Sequence, residues 1–415
     1  MIVSMHTWTT EAMVLTFEDA RHRVEVEARG VRPASAEQLP LLEAAGRVLA
    51  QDLYADRDFP PFPRAARDGY AVRAADLKEL PARLRIIAEI KAGASPEDIP
   101  KKMTSGEAAG IMTGAPVPGD ADAVVMVEYT SRSDDQVEIG RSIAAGENIV
   151  PAGSEARKND LLVPTGSLLD EAAIAVAASI GRAHLKVFPK PRIAVISTGD
   201  EVVPVDAEPG PTQIRNSNSY SLAAQVQCSG AIPVMLPIAP DEPSRLHQLI
   251  EQGLQSDLLL LAGGVSMGKY DLVEQVLAGL HAEFFFTGAQ IQPGRPIVFG
   301  RAGERYFFGL PGNPVSTMVT FELFVRPLLE ALSGRRPRKL IFLRARLKSE
   351  VKTKTGLKRF LPAILSGEFE QAEVELAGWH GSGDIATTAR ANCYLVIPSD
   401  RARITAGEWV PVLLR

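Results

Sequence analysis

The stretch from Ser256 to Val276, SDLLLLAGGVSMGKYDLVEQV, constrains the fold of this chain more than any other. Its run Leu258–Leu261 is short, continuous and apolar, which is typical of a parallel strand buried on both faces. Gly263 and Gly264 interrupt the run, and a helical spacing of apolar residues begins at Asp271. A strand, a glycine turn and a helix together predict an open α/β sheet with a ligand crevice at its carboxyl edge. A tight turn that binds nothing is an equally good interpretation of the glycines alone.

The composition indicates a globular protein of several domains. A chain of 415 residues is too long for one typical core and suggests roughly two to four domains. The net charge of −5 does not indicate a polyanionic partner, and the two cysteines lack the spacing of metal ligands. Residues 1–15 do not resemble a signal peptide, and the longest apolar run is too short for a bilayer. We therefore expect a cytoplasmic protein that binds neither membranes nor nucleic acid.

Changes in composition divide the chain into four predicted units. Prolines 60, 61 and 63 hold a rigid loop before Asp68, which is either a turn residue or a displayed carboxylate. Residues 17–29 are highly charged, so their helix is expected to pack only lightly. The fold class is α/β multidomain, with a mostly parallel central sheet of the kind that alternating strands and helices build. The predicted units are an N-terminal domain (1–57 plus 142–188), an inserted β-rich domain (58–141), an α/β domain (189–333) and a C-terminal β-barrel (336–415).

Polar residues follow successive strands of the predicted α/β domain, at the point where each strand ends. Glu201, Asp241 and Asp271 would bring carboxylates to the same edge as the glycine turn. A polyanionic ligand would be repelled there unless a divalent cation intervened, and hard oxygen ligands suit Mg²⁺. This arrangement predicts a nucleotide or pyrophosphate ligand and metal-assisted chemistry. Taken singly, Asp241 is better interpreted as a helix N-cap and Glu201 as a solvated turn residue.

Nine motifs resemble those of the molybdopterin molybdenumtransferases, a family related to the C-terminal part of gephyrin. They are ARDGYAVR (66–73), MTGAPVP (112–118), GENIV (146–150), STGDE (197–201), NSNSY (216–220), GGVSMGKYD (263–271), QPGRP (292–296), GLPGNPVS (309–316) and GSGD (381–384). The resemblance implies an elongated homodimer whose pocket lies between the α/β domain of one subunit and the inserted domain of the other. It also implies a reaction in which molybdate is inserted into adenylylated molybdopterin, with Mg²⁺ and with release of AMP.

The resemblance also implies roles for individual residues. The functional polar residues would be Asp68, Thr113, Glu201, Asp241 and Asp271, and the Mg²⁺ ligands would be Glu201, Asp241 and Asp271. The substrate-binding residues would be Gly263, Gly264, Ser266, Gly294, Arg295, Pro311, Asn313, Pro314, Ser316 and Ser382. Molybdopterin adenylyltransferase is a further partner that the resemblance suggests.

The chain departs from the family pattern at several positions that relatives use for cations or polar groups. The changes are Pro63-Arg64 for an Asp-Asn pair, Val150 for an arginine, Gln292 for a lysine, and Pro362 for an arginine, with Arg359 close by. A molybdate dianion needs hydrogen-bond donors, so the changes bear on oxyanion binding more than on nucleotide binding. Two other functions therefore stay open. One is a carrier that holds the pterin nucleotide or the cofactor without inserting metal, and the other is adenylylation of molybdopterin.

Overall fold

The computed structural model describes residues 13–264, 272–336 and 338–415. Its central sheet has six strands, in the spatial order Ile232–Met235, Arg192–Ser197, Leu258–Ala262, Arg305–Leu310, Val298–Ala302 and Glu283–Phe286. Only Val298–Ala302 runs opposite to the other strands of this sheet. The prediction of a mostly parallel α/β sheet is confirmed.

Alternate leucines of the central strand fill hydrophobic cores on opposite faces of the sheet. Leu258 and Leu260 belong to the core on the side of helix Asn218–Cys228. The odd-numbered leucines that alternate with them belong to the core on the side of helix Pro243–Gly253. Because successive side chains of a strand point to opposite faces, an unbroken apolar run requires both faces to be covered.

The predicted long helix runs from residue 314 to residue 332 and contains a π-helical turn at Phe321–Val325. Pro327 follows this turn and has no N–H to donate to the carbonyls of the π-helical turn, one of which belongs to Leu323. The buried guanidinium of Arg21 donates to that carbonyl instead. The first helix of the chain therefore supplies a hydrogen bond to the turn that precedes the proline.

That first helix, Phe17–Gly30, packs closely, and the expectation of light packing is wrong. The ring of Phe17 lies 5.1 Å from that of Phe360 and 6.0 Å from that of Phe324, measured between centroids. The helix has few apolar residues, but all of its buried ones recur every three or four positions and so share one face. Its buried apolar residues are Phe17, Ala20, Val24 and Ala28.

Three further sheets complete the main architecture. The inserted β-rich segment holds six strands, in the order Thr130–Ser133, Gln136–Ile139, Ala82–Ile90, Glu107–Ile111, Gly69–Val72 and Ala123–Met126. A three-stranded sheet, Glu37–Pro40, His184–Phe188 and Val48–Leu49, shares a core with helix Glu171–Ser179. In the C-terminal segment Lys358–Ser366, Glu373–Leu376, Phe342–Leu347, Trp409–Leu414 and Cys393–Ile397 form a ring that closes on its first strand. The predicted β-barrel is confirmed.

The remaining elements are short. The other helices are Leu272–Gly279 and Ile385–Arg390, and the 3₁₀ turns are Ala74–Leu77, Val127–Tyr129 and Phe369–Gln371. Two-stranded ladders join Val14–Leu15 to Gly288–Ala289, Arg64–Ala65 to Ile149–Val150, Leu53–Tyr54 to Leu161–Val163, Val202–Val203 to Ile214–Arg215, and Val351–Lys352 to Arg403–Ile404, while Ile291–Gln292 pairs with the barrel strand Lys358–Ser366. Within the three described ranges, no helix combines the length and apolarity needed to cross a bilayer.

The two cysteines should differ sharply in reactivity. Cys228 is exposed, whereas Cys393 is buried and its burial raises the pKa of the thiol to about 11. Because the thiolate is the reactive form, we expect a maleimide at about pH 8 to label Cys228 in the folded protein and Cys393 only after denaturation. Peptide mapping by mass spectrometry measures both. Equal labelling rates in the native protein would contradict the buried position of Cys393.

Candidate active site

A cleft of about 1050 Å³ opens at the carboxyl edge of the central sheet. We call it the carboxylate cleft, because Glu201 and Asp241 lie in its wall. Of the predicted site residues it gathers Glu201, Asp241, Gly263, Gly264, Pro311, Asn313 and Pro314. Ser266 and Asp271 lie outside the described residues. A crevice therefore lies at the carboxyl edge of the sheet, where the strand–glycine–helix pattern predicts one.

The carboxylates of Glu201 and Asp241 are exposed to this cleft. Neither has an ion-pair or hydrogen-bond partner for its side chain within the described part of the chain. The interpretation of Asp241 as a helix cap is wrong, because the cap residue of helix Pro243–Gly253 is Glu242. The backbone N–H of Asp241 instead donates to Oδ1 of Asp200 at 3.1 Å, which leaves the Asp241 carboxylate available.

The glycine turn is a place where only glycine fits. Gly263 and Gly264 have φ angles of +98° and +66°, which other residues rarely adopt. A Cβ atom on Gly263 would lie 2.8 Å from the carbonyl oxygen of Thr198, and one on Gly264 would lie 2.7 Å from a methyl group of Val273. The turn can therefore bring backbone directly to the surface of the cleft.

A buried hydrogen-bond network holds the loops around this turn. Oγ of Ser197 donates to Oδ1 of Asn216 at 2.9 Å and lies 2.8 Å from Oγ of Ser219. The amide of Asn216 in turn donates to Ser219 at 3.0 Å. Sequence reasoning missed these three residues as a group. The signals were the NSNSY motif, which contains Asn216 and Ser219, and the STGDE motif, which begins with Ser197, because Asn and Ser side chains suit a polar network beneath a strand end.

A second cleft of about 760 Å³ adjoins the first and shares Pro296, Pro311 and Asn313 with it. We call it the basic cleft, because its lining contains Arg295, Lys354, Arg359 and His380 but no Asp or Glu of the described residues. It also holds the predicted residues Gly294, Ser316 and Ser382. The carbonyl of Ser382 accepts a hydrogen bond from the N–H of Val315 at 3.0 Å, which ties the barrel to the start of the long helix.

Arg359 is the most unusual side chain of the basic cleft. It is only 6% exposed, and its burial lowers the pKa of the guanidinium, which nevertheless stays charged at neutral pH. Its Nε donates to Oε1 of Gln292 at 2.8 Å and its Nη1 to the carbonyl of Leu357 at 3.0 Å. Both acceptors are neutral, and no carboxylate among the described residues pairs with Arg359. A buried cation held by neutral groups beside a cleft favours an anionic ligand.

Asp68 and Thr113 line neither cleft of their own chain. They lie together on the inserted sheet, where the N–H of Thr113 donates to Oδ1 of Asp68 at 2.6 Å and its hydroxyl donates at 2.8 Å. These bonds, the backbone one foremost, hold the pKa of the Asp68 carboxyl below its usual value. Asp68 is therefore an exposed carboxylate at neutral pH. Within a single chain it does not line the cleft that contains Glu201 and Asp241.

Two of the departures from the family pattern are neighbours in space. Arg64 lies directly opposite Val150 in a short antiparallel ladder. Its Nη2 forms an ion pair with Glu155 at 2.8 Å. A cation is therefore present at this ladder, on the strand opposite Val150.

Comparisons with known proteins agree with this architecture. The chain matches family models for the MoeA N-terminal region (domain I and II) at residues 15–181, a probable molybdopterin binding domain at 194–331, and the MoeA C-terminal region (domain IV) at 344–414. The molybdopterin molybdenumtransferase of Nostoc sp. is 35% identical over 390 residues, which cover 91% of this chain and 88% of that protein. The enzyme of that name from Bacillus subtilis is 31% identical over 392 residues, which cover 92% of this chain and 90% of that protein.

A solved structure shows the same fold. The molybdopterin biosynthesis MoeA protein from Pyrococcus horikoshii superimposes with a TM-score of 0.78 at 28% identity, and covers 97% of this chain and 100% of that one. The fold and the site thus define a multidomain α/β protein with a central domain of the molybdopterin-binding type. The chain belongs to the MoeA family.

Proposed function

We propose that this protein acts in molybdenum cofactor biosynthesis as a molybdopterin molybdenumtransferase, which inserts molybdate into adenylylated molybdopterin and releases AMP. The relatives that carry this name match the chain over most of its length. The observation that carries the proposal is the pair of adjoining clefts, one lined by the exposed carboxylates of Glu201 and Asp241 and the other by basic side chains. A substrate with a pyrophosphate group and a metal oxyanion needs these two environments side by side.

The carboxylate cleft would hold the pyrophosphate with Mg²⁺. Among the described residues, no group of three acidic, histidine or cysteine side chains could hold a metal ion. The cleft supplies two carboxylates, those of Glu201 and Asp241. This donor set fits, because protein-bound Mg²⁺ is commonly held by one or two carboxylates together with substrate phosphates. Asp271 is the proposed third ligand. When bound, the ion would neutralise charge that develops on the leaving AMP phosphate.

The residues of the chain would then perform separate tasks. Gly263 and Gly264 would allow the pyrophosphate to approach the backbone, and the carboxylates of Glu201 and Asp241 would hold the metal ion. Across the shared wall, Arg359 and Arg295 bind the molybdate dianion, because guanidinium groups donate strong hydrogen bonds to oxyanions. Hydrolysis of the pyrophosphate bond, with water as the nucleophile, would release AMP and leave the second phosphate on the pterin, beside the cleft that holds the oxyanion.

The proposal is tested by measuring AMP release from adenylylated molybdopterin by the purified protein, with and without molybdate. Molybdate-dependent release together with formation of the molybdenum cofactor is the expected result. Tight binding of the pterin nucleotide without molybdate-dependent release would favour the carrier. Formation of the adenylylated pterin from ATP and molybdopterin would favour the adenylyltransferase. In the cell, that preceding reaction would have to supply the substrate, and we propose that it takes place in the same compartment, the cytoplasm.

We further propose that the active protein is a homodimer, in which Asp68 and Thr113 of one subunit complete the carboxylate cleft of the other. The proposal is supported by the position of these residues outside the clefts of their own chain. An Asp68→Ala protein and an Asp241→Ala protein should each be inactive. Mixed dimers of the two should regain up to about half of the wild-type activity per dimer, because one of their two shared pockets has all its residues.

The mixing experiment distinguishes a pocket shared between subunits from a pocket within one subunit. If each subunit used only its own residues, every mixed dimer would contain two damaged sites and activity would not return. Remixing each variant with itself controls for changes caused by dissociation and reassociation. Light scattering on the same samples measures the oligomeric state directly.

A further inference from the structure

Unpaired buried polar atoms occur at both clefts. Among the described residues six side-chain polar atoms are buried without a hydrogen-bond partner. Two of them, Oγ1 of Thr198 and Oδ1 of Asn218, belong to the carboxylate cleft, and a third, Nε1 of Trp379, belongs to the basic cleft. Buried polar groups are nearly always paired, so an unpaired one beside a cleft needs a specific explanation.

Thr198 lies directly beneath the glycine turn. Thr198 is 5% exposed, and its backbone N–H donates to the carbonyl of Ala262 at 3.0 Å. A Cβ atom on Gly263 or on Gly264 would lie 2.9 Å from the Thr198 hydroxyl oxygen. Because neither glycine has a side chain, the Thr198 hydroxyl faces the turn. It has no hydrogen-bond partner among the described residues.

Asn218 contacts a loop that abuts the same turn. Its amide nitrogen donates to the carbonyl of Gly312 at 2.7 Å. Gly312 abuts the turn, since a Cβ atom on it would lie 3.5 Å from the Cα atom of Gly263. The two unpaired oxygen atoms thus lie around the place where the glycine turn meets the loop that carries Pro311 and Asn313.

We propose that the Thr198 hydroxyl binds a phosphoryl oxygen of the substrate at the glycine turn. The inference rests on the proposed function and adds a substrate-positioning residue to it. A phosphoryl oxygen is an acceptor, and the exposed side chains of Glu201 and Asp241 offer acceptors only, so the turn needs a neutral donor. The hydroxyl supplies that donor without adding charge next to the proposed metal. The bound ligand in turn completes the hydrogen bond that the protein leaves unmade.

Two substitutions and two ligands test the inference, with calorimetry as the measurement. Thr198→Val keeps the shape of the side chain and removes the hydroxyl, whereas Thr198→Ser keeps the hydroxyl. The valine variant should bind AMP about tenfold more weakly than the wild type, and the serine variant should bind it nearly as well. Adenosine, which has no phosphate, should bind wild type and both variants equally. The valine variant should melt at the same temperature as the wild type or higher, since it loses a buried unpaired group.

The alternatives give different results. Unchanged AMP affinity in Thr198→Val would overturn the inference, and so would an equal loss of adenosine affinity, which would assign the hydroxyl to the nucleoside. A lower melting temperature without rescue by serine would show a structural role instead. If wild-type protein binds no AMP at all, the proposed function fails first and the inference fails with it.

Discussion

Replacing Asp241 with asparagine should lower molybdate-dependent AMP release by about 100-fold, which corresponds to roughly 3 kcal/mol of lost transition-state stabilisation. The substitution removes the charge that a metal needs and keeps the size of the side chain. Folding should be unaffected, because the carboxylate of Asp241 neither caps the following helix nor pairs with any described residue. Steady-state AMP release and the thermal unfolding midpoint measure the two effects separately.

A matched control is available next to the site. Asp206 is also an exposed carboxylate, but it lines a neighbouring pocket and not the carboxylate cleft. Asp206→Asn should therefore change AMP release by less than about twofold, as is usual for a surface position. The Asp241 variant should also require more Mg²⁺ for half-maximal rate. Wild-type turnover in Asp241→Asn at saturating Mg²⁺ would assign the metal to Glu201 and Asp271 alone.

Replacing Arg359 with methionine should weaken molybdate binding by about 30-fold, from roughly 2 kcal/mol of lost charge-assisted hydrogen bonding. The adenylylated pterin should still bind, because the proposed function assigns it mainly to the carboxylate cleft. The free protein should be as stable as the wild type or more so. An apolar side chain of similar length replaces a buried cation that has no counter-charge among the described residues.

Three companion variants sharpen this prediction. Arg295→Ala should weaken molybdate binding by a smaller factor, because Arg295 is exposed and water competes for its hydrogen bonds. Gln292→Ala should also have a smaller effect, since it removes only the group that orients Arg359. Arg344→Met is the matched control, because Arg344 is an exposed arginine of the barrel that lines neither cleft. Undiminished molybdate affinity in Arg359→Met would remove the main support for the basic cleft as the oxyanion site.

The central sheet and its crevice could be predicted from short stretches of sequence. The apolar run at Leu258–Leu261 requires burial on both faces, and Gly263 and Gly264 can adopt the positive φ angles of the turn. Because parallel strands end at a common edge, residues far apart in the chain, such as Glu201 and Asp241, could be placed together from the sequence alone. These inferences need only the periodicity of nearby residues and one rule of sheet topology.

The role of Gln292 could not be predicted in this way. In the sequence it replaces a lysine of the family pattern and looks like a lost cation. In the structure it pairs in register with Arg359, 67 positions further along the chain, and orients that guanidinium. The contact exists because strand Ile291–Gln292 of the α/β segment pairs with barrel strand Lys358–Ser366. No local sequence pattern predicts that pairing.

The sequence by itself determined where strands end, which turns need glycine and which edge carries the carboxylates, because these depend on residues within a few positions of one another. The tertiary structure alone decided which polar groups are satisfied. Arg21 donates to the carbonyl of Leu323, 302 positions away, whereas Thr198 and Arg359 keep hydrogen-bonding capacity at the clefts. Whether a buried donor is structural or available to a ligand depends on the partners that packing brings to it, and those partners come from distant parts of the chain.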